Sequence, residues 1–187
     1  MLFELQKMSI DLSLIHRNHN LAGTDRKEND IEHSFTVALL CWYIHNRHNL
    51  ALDMHKIFKY ALAHDFVERY AGDVNTYAST EARLQKVKDE ARALEKLSKE
   101  FKQFPDLVKS MNDYESKRDE ESVFVWTVDK MQQLVMGDLD RWRPYHDIDI
   151  TFEQFSSKCA EQLGQSSEYL REIFEGLIEY SKSTYKT

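Results

Sequence analysis

Apolar residues recur at intervals of three and four along most of the chain, a spacing that predicts a succession of amphipathic helices. Leu5, Met8, Leu12 and Ile15 mark the first, over residues 2–16. His16 to Asp30 is polar, rich in Asn, Asp and basic residues and interrupted by Gly23, which predicts a loop. A second helix, N-capped by Asn29 or Asp30, carries His33, Val37, Leu40, Cys41 and Ile44 on one face. Asp53 caps a third, whose apolar stripe of Ile57, Phe58, Ala61 and Leu62 runs into ALAHDFVERYAGD and breaks at Gly72-Asp73. A charged helix from about Thr80 to Phe104 bears the stripe Leu84, Val87, Ala91, Leu94, Leu97, Phe101 and Phe104, suited to packing or to a dimer contact. Pro105 ends it, and a short helix follows over 106–117. Beyond the solvated run ESKRDEES come the apolar helix VFVWTVDKMQQLVMGDL, the loop RWRPYHDIDI, and two final helices near 151–163 and 167–180.

Composition agrees with this pattern. Five Gly and two Pro in 187 residues are few for a β-rich fold, so the expectation is all-α, a single helical bundle spanning 1–187. A net charge of −7 argues against a broad nucleic-acid surface, although one or two arginines could still hold a small phosphorylated ligand. Cys41 and Cys159 lack metal-ligand spacing and read as reduced thiols. MLFELQKMSIDL lacks a basic region followed by an apolar run, and no apolar run reaches membrane-spanning length, so the expected location is cytoplasmic, with no membrane partner.

Candidate chemistry lies on the inward helix faces. His33 shares its face with Val37 and Leu40, and His64 follows Ala61 by three and Ile57 by seven. Asp65 adjoins it, and Glu68 lies four beyond His64 and three beyond Asp65, so the three project from one side. Asp129 stands inside the most apolar helix, where a carboxylate has low helix propensity and a large desolvation cost unless paired. By itself a His-Asp pair near a helix end is most often a surface pair or part of a terminus. Two imidazoles and two carboxylates from three helices form instead an N2O2 donor set suited to a divalent cation: Mn2+, Co2+, Mg2+, Fe2+ or Zn2+. No His occurs between Asp65 and Asp129, so one main metal ion is expected rather than a second imidazole-rich site. The other histidines read as surface groups, with His16 and His19 nearest a pocket mouth.

The order His33, His64-Asp65, Asp129 resembles the HD-domain metal-dependent phosphohydrolases. Arg26, ENDIEHS from Glu28 to Ser34, and HDFVERYAGD from His64 to Asp73 with Thr76 beyond are similar to the bacterial HD-domain 5′-deoxynucleotidases. The likeness covers roughly residues 12–140, with the helices at 151–180 as C-terminal packing. It implies an all-α fold, often a homodimer, and one divalent ion held by His33, His64, Asp65 and Asp129. It implies Glu68 as the acid/base carboxylate, Arg17 and Arg26 towards phosphate, and Asp73 and Thr76 on the sugar and base side. That family carries Trp after its Arg where this chain has Asn18, and Pro in the turn where this chain has Val74-Asn75. The implied activity is a (deoxy)nucleoside 5′-monophosphate phosphatase. A dNTP triphosphohydrolase releasing tripolyphosphate is the alternative, and a non-catalytic regulatory module a third reading.

Overall fold

The computed structural model describes residues 1–73, 75 and 77–185. Its elements are α1 (Leu2–Ser13), β1 (His16–Asn20), β2 (Lys27–Asn29), α2 (Asp30–His48), α3 (Met54–Ala63), α4 (Glu68–Ala71), α5 (Thr80–Glu100), α6 (Pro105–Glu115), α7 (Glu120–Leu139), α8 (Arg143–His146), α9 (Phe152–Gly164) and α10 (Arg171–Thr184), with a 3-10 turn, Glu168–Leu170, before α10. The all-α expectation holds, and the small hairpin is the one departure among the described residues.

Helix starts follow from local chemistry. Asn29, Asp119 and Thr151 each close a reciprocal capping box, with Glu32, Ser122 and Gln154. Asp53 accepts from the His55 N–H at 2.8 Å, and Pro105 opens α6 at a position where its missing donor costs nothing. Asn49 ends α2 in the left-handed region, φ 49°.

α2, α3 and α7 pack against one another at the centre, α10 covers α7, and α6 lies on α3. Their main core joins Val37, Cys41, Ile57, Ala61, Phe124, Val125 and Val128 to an aromatic group from the C-terminal third, including Trp142, Tyr145, Phe155 and Tyr185. A second core, Met8, Leu12, Ala63, Val67, Leu97, Phe101 and Met111, lies among α1, α4, α5 and α6. The chain passes from one core to the other between Ala61 and Ala63, directly before His64.

Three expectations are corrected. The polar stretch after α1 is an antiparallel hairpin with an irregularity between His16 and Asn20, and its burial alternates so that Arg17 and Glu28 point inward. The helix leading into His64 does not run on through Glu68. It stops at Ala63, where the Ala61 carbonyl accepts from His64 Nδ1 (2.9 Å), and the chain tightens into three-residue turns, Phe66 N–H to Ala63 O and Glu68 N–H to Asp65 O, before the single turn α4. The stripe on α5 is buried only at its C-terminal end: Leu97 and Phe101 are enclosed, while Leu84, Val87 and Ala91 are exposed, and the half-buried Lys86 and Glu90 line the central cleft.

Arg69 fixes the short α4. Its buried guanidinium pairs with Asp11 of α1 at 2.8 Å and Glu100 of α5 at 2.7 Å, tying the turn that carries Glu68 to both neighbours.

Candidate metal centre

Four side chains meet where α2, the end of α3 and α7 converge. His33 Nε2 lies 3.1 Å from Asp129 Oδ1 and 3.6 Å from Asp65 Oδ2, and His64 Nε2 lies 3.2 Å from Asp65 Oδ2. One donor atom each from His33, His64 and Asp129 fall within 4.8 Å of one another. A carbonyl can only accept, so the 2.9 Å contact to Ala61 O puts the His64 proton on Nδ1 and leaves the Nε2 lone pair facing the cluster.

His33 Nε2, His64 Nε2 and Asp129 Oδ1 are all buried, and among the described residues none has an aligned hydrogen-bond partner. Orphaned buried polar atoms are costly and rare, and three converging on one point fit a cation that bonds to lone pairs. The donor set suits a borderline-hard divalent ion, so the residues fit the metal that the sequence implies.

Carboxylates and cations tune the centre. Burial opposes ionisation of Asp65, but His64 and then Arg17, whose Nη1 is 2.6 Å from Asp65 Oδ2, hold it well below the ordinary carboxylate range. Asp129 is held low in the same way: burial opposes, but Lys130, 2.6 Å away, and His33 prevail. His33 is pulled down by burial and by Arg17, yet the carboxylates of Asp129, Glu28 and Asp65 outweigh them and raise it to about 9. The negative field that favours a proton on His33 favours a metal cation in the same place.

Glu68 behaves differently. Burial, and then the charge of Asp65, push it well above the usual range despite Arg17 and Lys86. It is buried, with Oε1 3.4 Å from Lys86 and Oε2 unpartnered among the described residues, and it can keep a proton beside the cluster.

Of the residues expected at the site, His33, His64, Asp65, Glu68, Asp129, Arg17 and Asp73 come together along one cleft, although His33 lies beneath its wall. Asn18 donates to Asp73 Oδ2 from its backbone N–H (3.2 Å) and Nδ2 (3.1 Å), holding that carboxylate at the rim. Arg26 does not reach the cleft: it is exposed and forms a bidentate pair with Glu32 at 2.8 and 2.9 Å, because it lies at the far end of the hairpin. Thr76 lies outside the described residues. His19 lines a second, aromatic pocket, whereas His16 is exposed.

Residue patterns alone missed the carboxylates beneath Arg17. Glu28 lies 3.6 Å from His33 Nδ1 and 4.0 Å from Arg17, with Gln132 donating to it at 3.3 Å. Asp30 is fully buried 3.6 Å from Arg17, and burial, then Asp65, raise it to about 7. Two acids just ahead of a site histidine were the available signal.

The HD-domain family profile matches residues 11–171. No curated protein matches the chain. Among solved structures, it resembles a predicted metal-dependent phosphohydrolase from Magnetospirillum magnetotacticum MS-1, with a TM-score of 0.80 and 19% identity over 100% of this chain and 96% of that one. It also resembles a conserved hypothetical protein from Pyrococcus furiosus, with a TM-score of 0.63 and 21% identity over 95% and 99% of the two chains. At these identities the likeness is one of fold.

Proposed function

The chain belongs to the HD-domain family, and on that premise we propose that it is a metal-dependent phosphohydrolase that cleaves the 5′-phosphate ester of nucleotides. The observation that carries this reading is the convergence of His33 Nε2, His64 Nε2 and Asp129 Oδ1, buried and unpartnered, beside the ionised Asp65. The phosphohydrolase name carried by the Magnetospirillum structure, matched over the whole chain, supports it. In its minimal form the substrate is a (deoxy)nucleoside 5′-monophosphate and the product orthophosphate.

A divalent ion held by His33, His64, Asp65 and Asp129 would supply Lewis-acid polarisation of a phosphate oxygen and a lowered pKa for water. The remaining work belongs to the chain. Arg17, locked against Asp65, offers its guanidinium to the phosphate and offsets charge as the ester bond breaks. Glu68, kept protonated by burial and by Asp65, gives its proton to the departing O5′. Asp73, held at the rim by Asn18, is placed to accept from a sugar hydroxyl.

Incubation with dNMPs, NMPs and dNTPs in Co2+, Mn2+ and Mg2+, read by released product, tests the reading. Nucleoside should form only with metal present, and His64→Ala or Asp65→Ala should abolish it. A protein that binds no metal and gains no thermal stability from Mn2+ or Co2+ points instead to a regulatory module.

We also propose a homodimer. Phe35, Leu39, Trp42 and Tyr43 recur along the outer face of α2 and are 68%, 50%, 53% and 63% exposed, and Phe58 of α3 lies edge-on to Trp42 at 6.3 Å. At roughly 150–250 Å2 per large side chain, this face offers on the order of 500 Å2 of apolar surface per copy, and two copies bury about the 1,000 Å2 at which specific interfaces begin. The partner is therefore a second copy of this face.

A further inference from the structure

The metal cleft, about 210 Å3, is walled by side chains from several elements, and among the described residues each of its lysines and arginines is already engaged. Arg17 pairs with Asp65, Lys86 with Glu68 and Glu90, and Lys130 with Asp129. The Lys117 ammonium lies 3.7 Å from the centre of the Trp126 ring and donates to Gln165 Oε1 at 3.4 Å. These cations are held by the protein before any ligand arrives. Tyr114 lines the same cleft in a different condition.

Tyr114 stands in the last turn of α6. Because α6 lies on α3, its ring meets the imidazole of His64 edge-on, with centres 5.7 Å apart and planes at 68°. The side chain belongs to the main core, and the residue is only 8% exposed. Its neighbour Tyr60, with ring centres 6.4 Å apart, gives its hydroxyl to Asp119 Oδ2 at 2.9 Å. Tyr114 has no such bond: among the described residues its hydroxyl is without a hydrogen-bond partner, and the side chain borders the cleft. A phenylalanine would fill the same space, so packing alone does not require the oxygen, and a phenol buried without a partner costs free energy. Burial, and then the charges of Asp129 and Asp65, raise this phenol well above the ordinary tyrosine range. The two charges that act on it most are thus those of metal-site carboxylates, and it keeps its proton beside them.

We infer that the Tyr114 hydroxyl is a further catalytic group, donating a hydrogen bond to a non-bridging oxygen of the phosphate held at the metal centre. This rests on the phosphohydrolase reading above and deepens it. A neutral donor suits the place. A further fixed cation would compete with the metal for Asp65 and Asp129, whereas a phenol leaves their charge to the metal and still bonds strongly to an oxyanion. Arg17 reaches the centre from β1 and Tyr114 from the end of α6, so donors from two distant segments meet one phosphate. The hydroxyl breaks no bond within the described protein to do so. It keeps its proton throughout, and Glu68 remains the acid.

The test measures kcat/KM for a dNMP in excess Mn2+, with Mn2+ affinity and thermal midpoint, for the wild type, Tyr114→Phe and Tyr60→Phe. Tyr114→Phe keeps the ring against His64, so Mn2+ affinity and midpoint should match the wild type while kcat/KM falls about tenfold or more. Tyr60→Phe loses the bond to Asp119 and should lower the midpoint with kcat/KM unchanged. An unchanged kcat/KM in Tyr114→Phe overturns the assignment. An equal fall in both variants, or a loss of Mn2+ affinity in Tyr114→Phe, makes the residue one of packing and overturns it too. If no nucleotide is hydrolysed, the phosphohydrolase reading falls on its own. Tyr114 is then judged by calorimetric binding of orthophosphate to the Mn2+-loaded protein. Binding about tenfold weaker in Tyr114→Phe than in the wild type supports the hydrogen bond, and equal affinity, or no binding by either, overturns it.

Discussion

Two carboxylates three residues apart, Asp65 and Glu68, are driven in opposite directions by their surroundings. Asp65 faces two imidazoles and a guanidinium and stays ionised, while Glu68 faces the charge of Asp65 from a buried position and keeps its proton. Pairs of acids split in this way separate binding from proton transfer. Glu68→Gln should therefore retain bound Mn2+ but lose on the order of 100-fold in kcat, and an unchanged kcat in the metal-loaded variant would end its role as the acid. His19 offers a second test. Burial, and then Arg17, lower its imidazole from 6.5 to about 4, so between those values the unfolded chain binds a proton that the folded chain refuses. Stability should fall as pH drops through that window, by up to about 3 kcal/mol. His19→Gln should flatten that part of the curve in urea midpoints taken at pH 7 and pH 4.5. Parallel curves for the two proteins would place the acid sensitivity elsewhere.

Among the elements, the hairpin was the hardest to read and the helices the easiest. HRNHN and KEN contain no apolar residue, because the inward positions of the two strands hold Arg17 and Glu28 for the site rather than core side chains. A strand whose buried face is polar leaves no period-two signal. Helix α7 shows the reverse: its apolar pattern was plain, and Asp129 was visible as the exception to it. Its far end is governed by a close approach. A Cβ on Gly137 would lie 2.7 Å from Trp142 Cζ3 and 3.0 Å from Tyr145 Cε2. Trp142 cannot withdraw, since it is packed by Phe155 at 5.1 Å and Tyr185 at 5.2 Å and donates to Thr184 Oγ1 at 3.2 Å. Ala normally gains up to about 1 kcal/mol over Gly inside a helix. Here the clash should outweigh that gain, and Gly137→Ala should destabilise by about 1–3 kcal/mol in chemical denaturation. A more stable variant would show that the aromatic cluster can yield.

For the whole molecule, the site lies where the chain crosses between two cores, so each ligand is backed by different packing: Val128 beside Asp129 belongs to the main core, while Ala63 and Val67 on either side of His64-Asp65 belong to the second. Such a site is held from several directions, which is what a metal geometry requires. Among the described residues no helix is long and apolar enough to cross a membrane. If the exposed apolar face of α2 joins two copies, light scattering should give twice the mass of one chain, and Trp42→Glu should return the monomer with its activity retained. A wild-type monomer at micromolar concentration would remove the proposed interface.

Helical periodicity, capping residues and the placement of ionisable groups on apolar faces determined from the sequence that the fold is helical and that His33, His64 and Asp129 face inward. These are local properties, set by each helix against its own pattern. What only the tertiary structure decided is where charges from distant segments meet. It buried Glu28 and Asp30 beneath Arg17, kept Arg26 out on the surface, and turned Lys86 of α5 towards Glu68. It also set Lys117 and Lys130 on one indole. The energy of a charge depends on its neighbours and its burial, and neither is a property of sequence spacing.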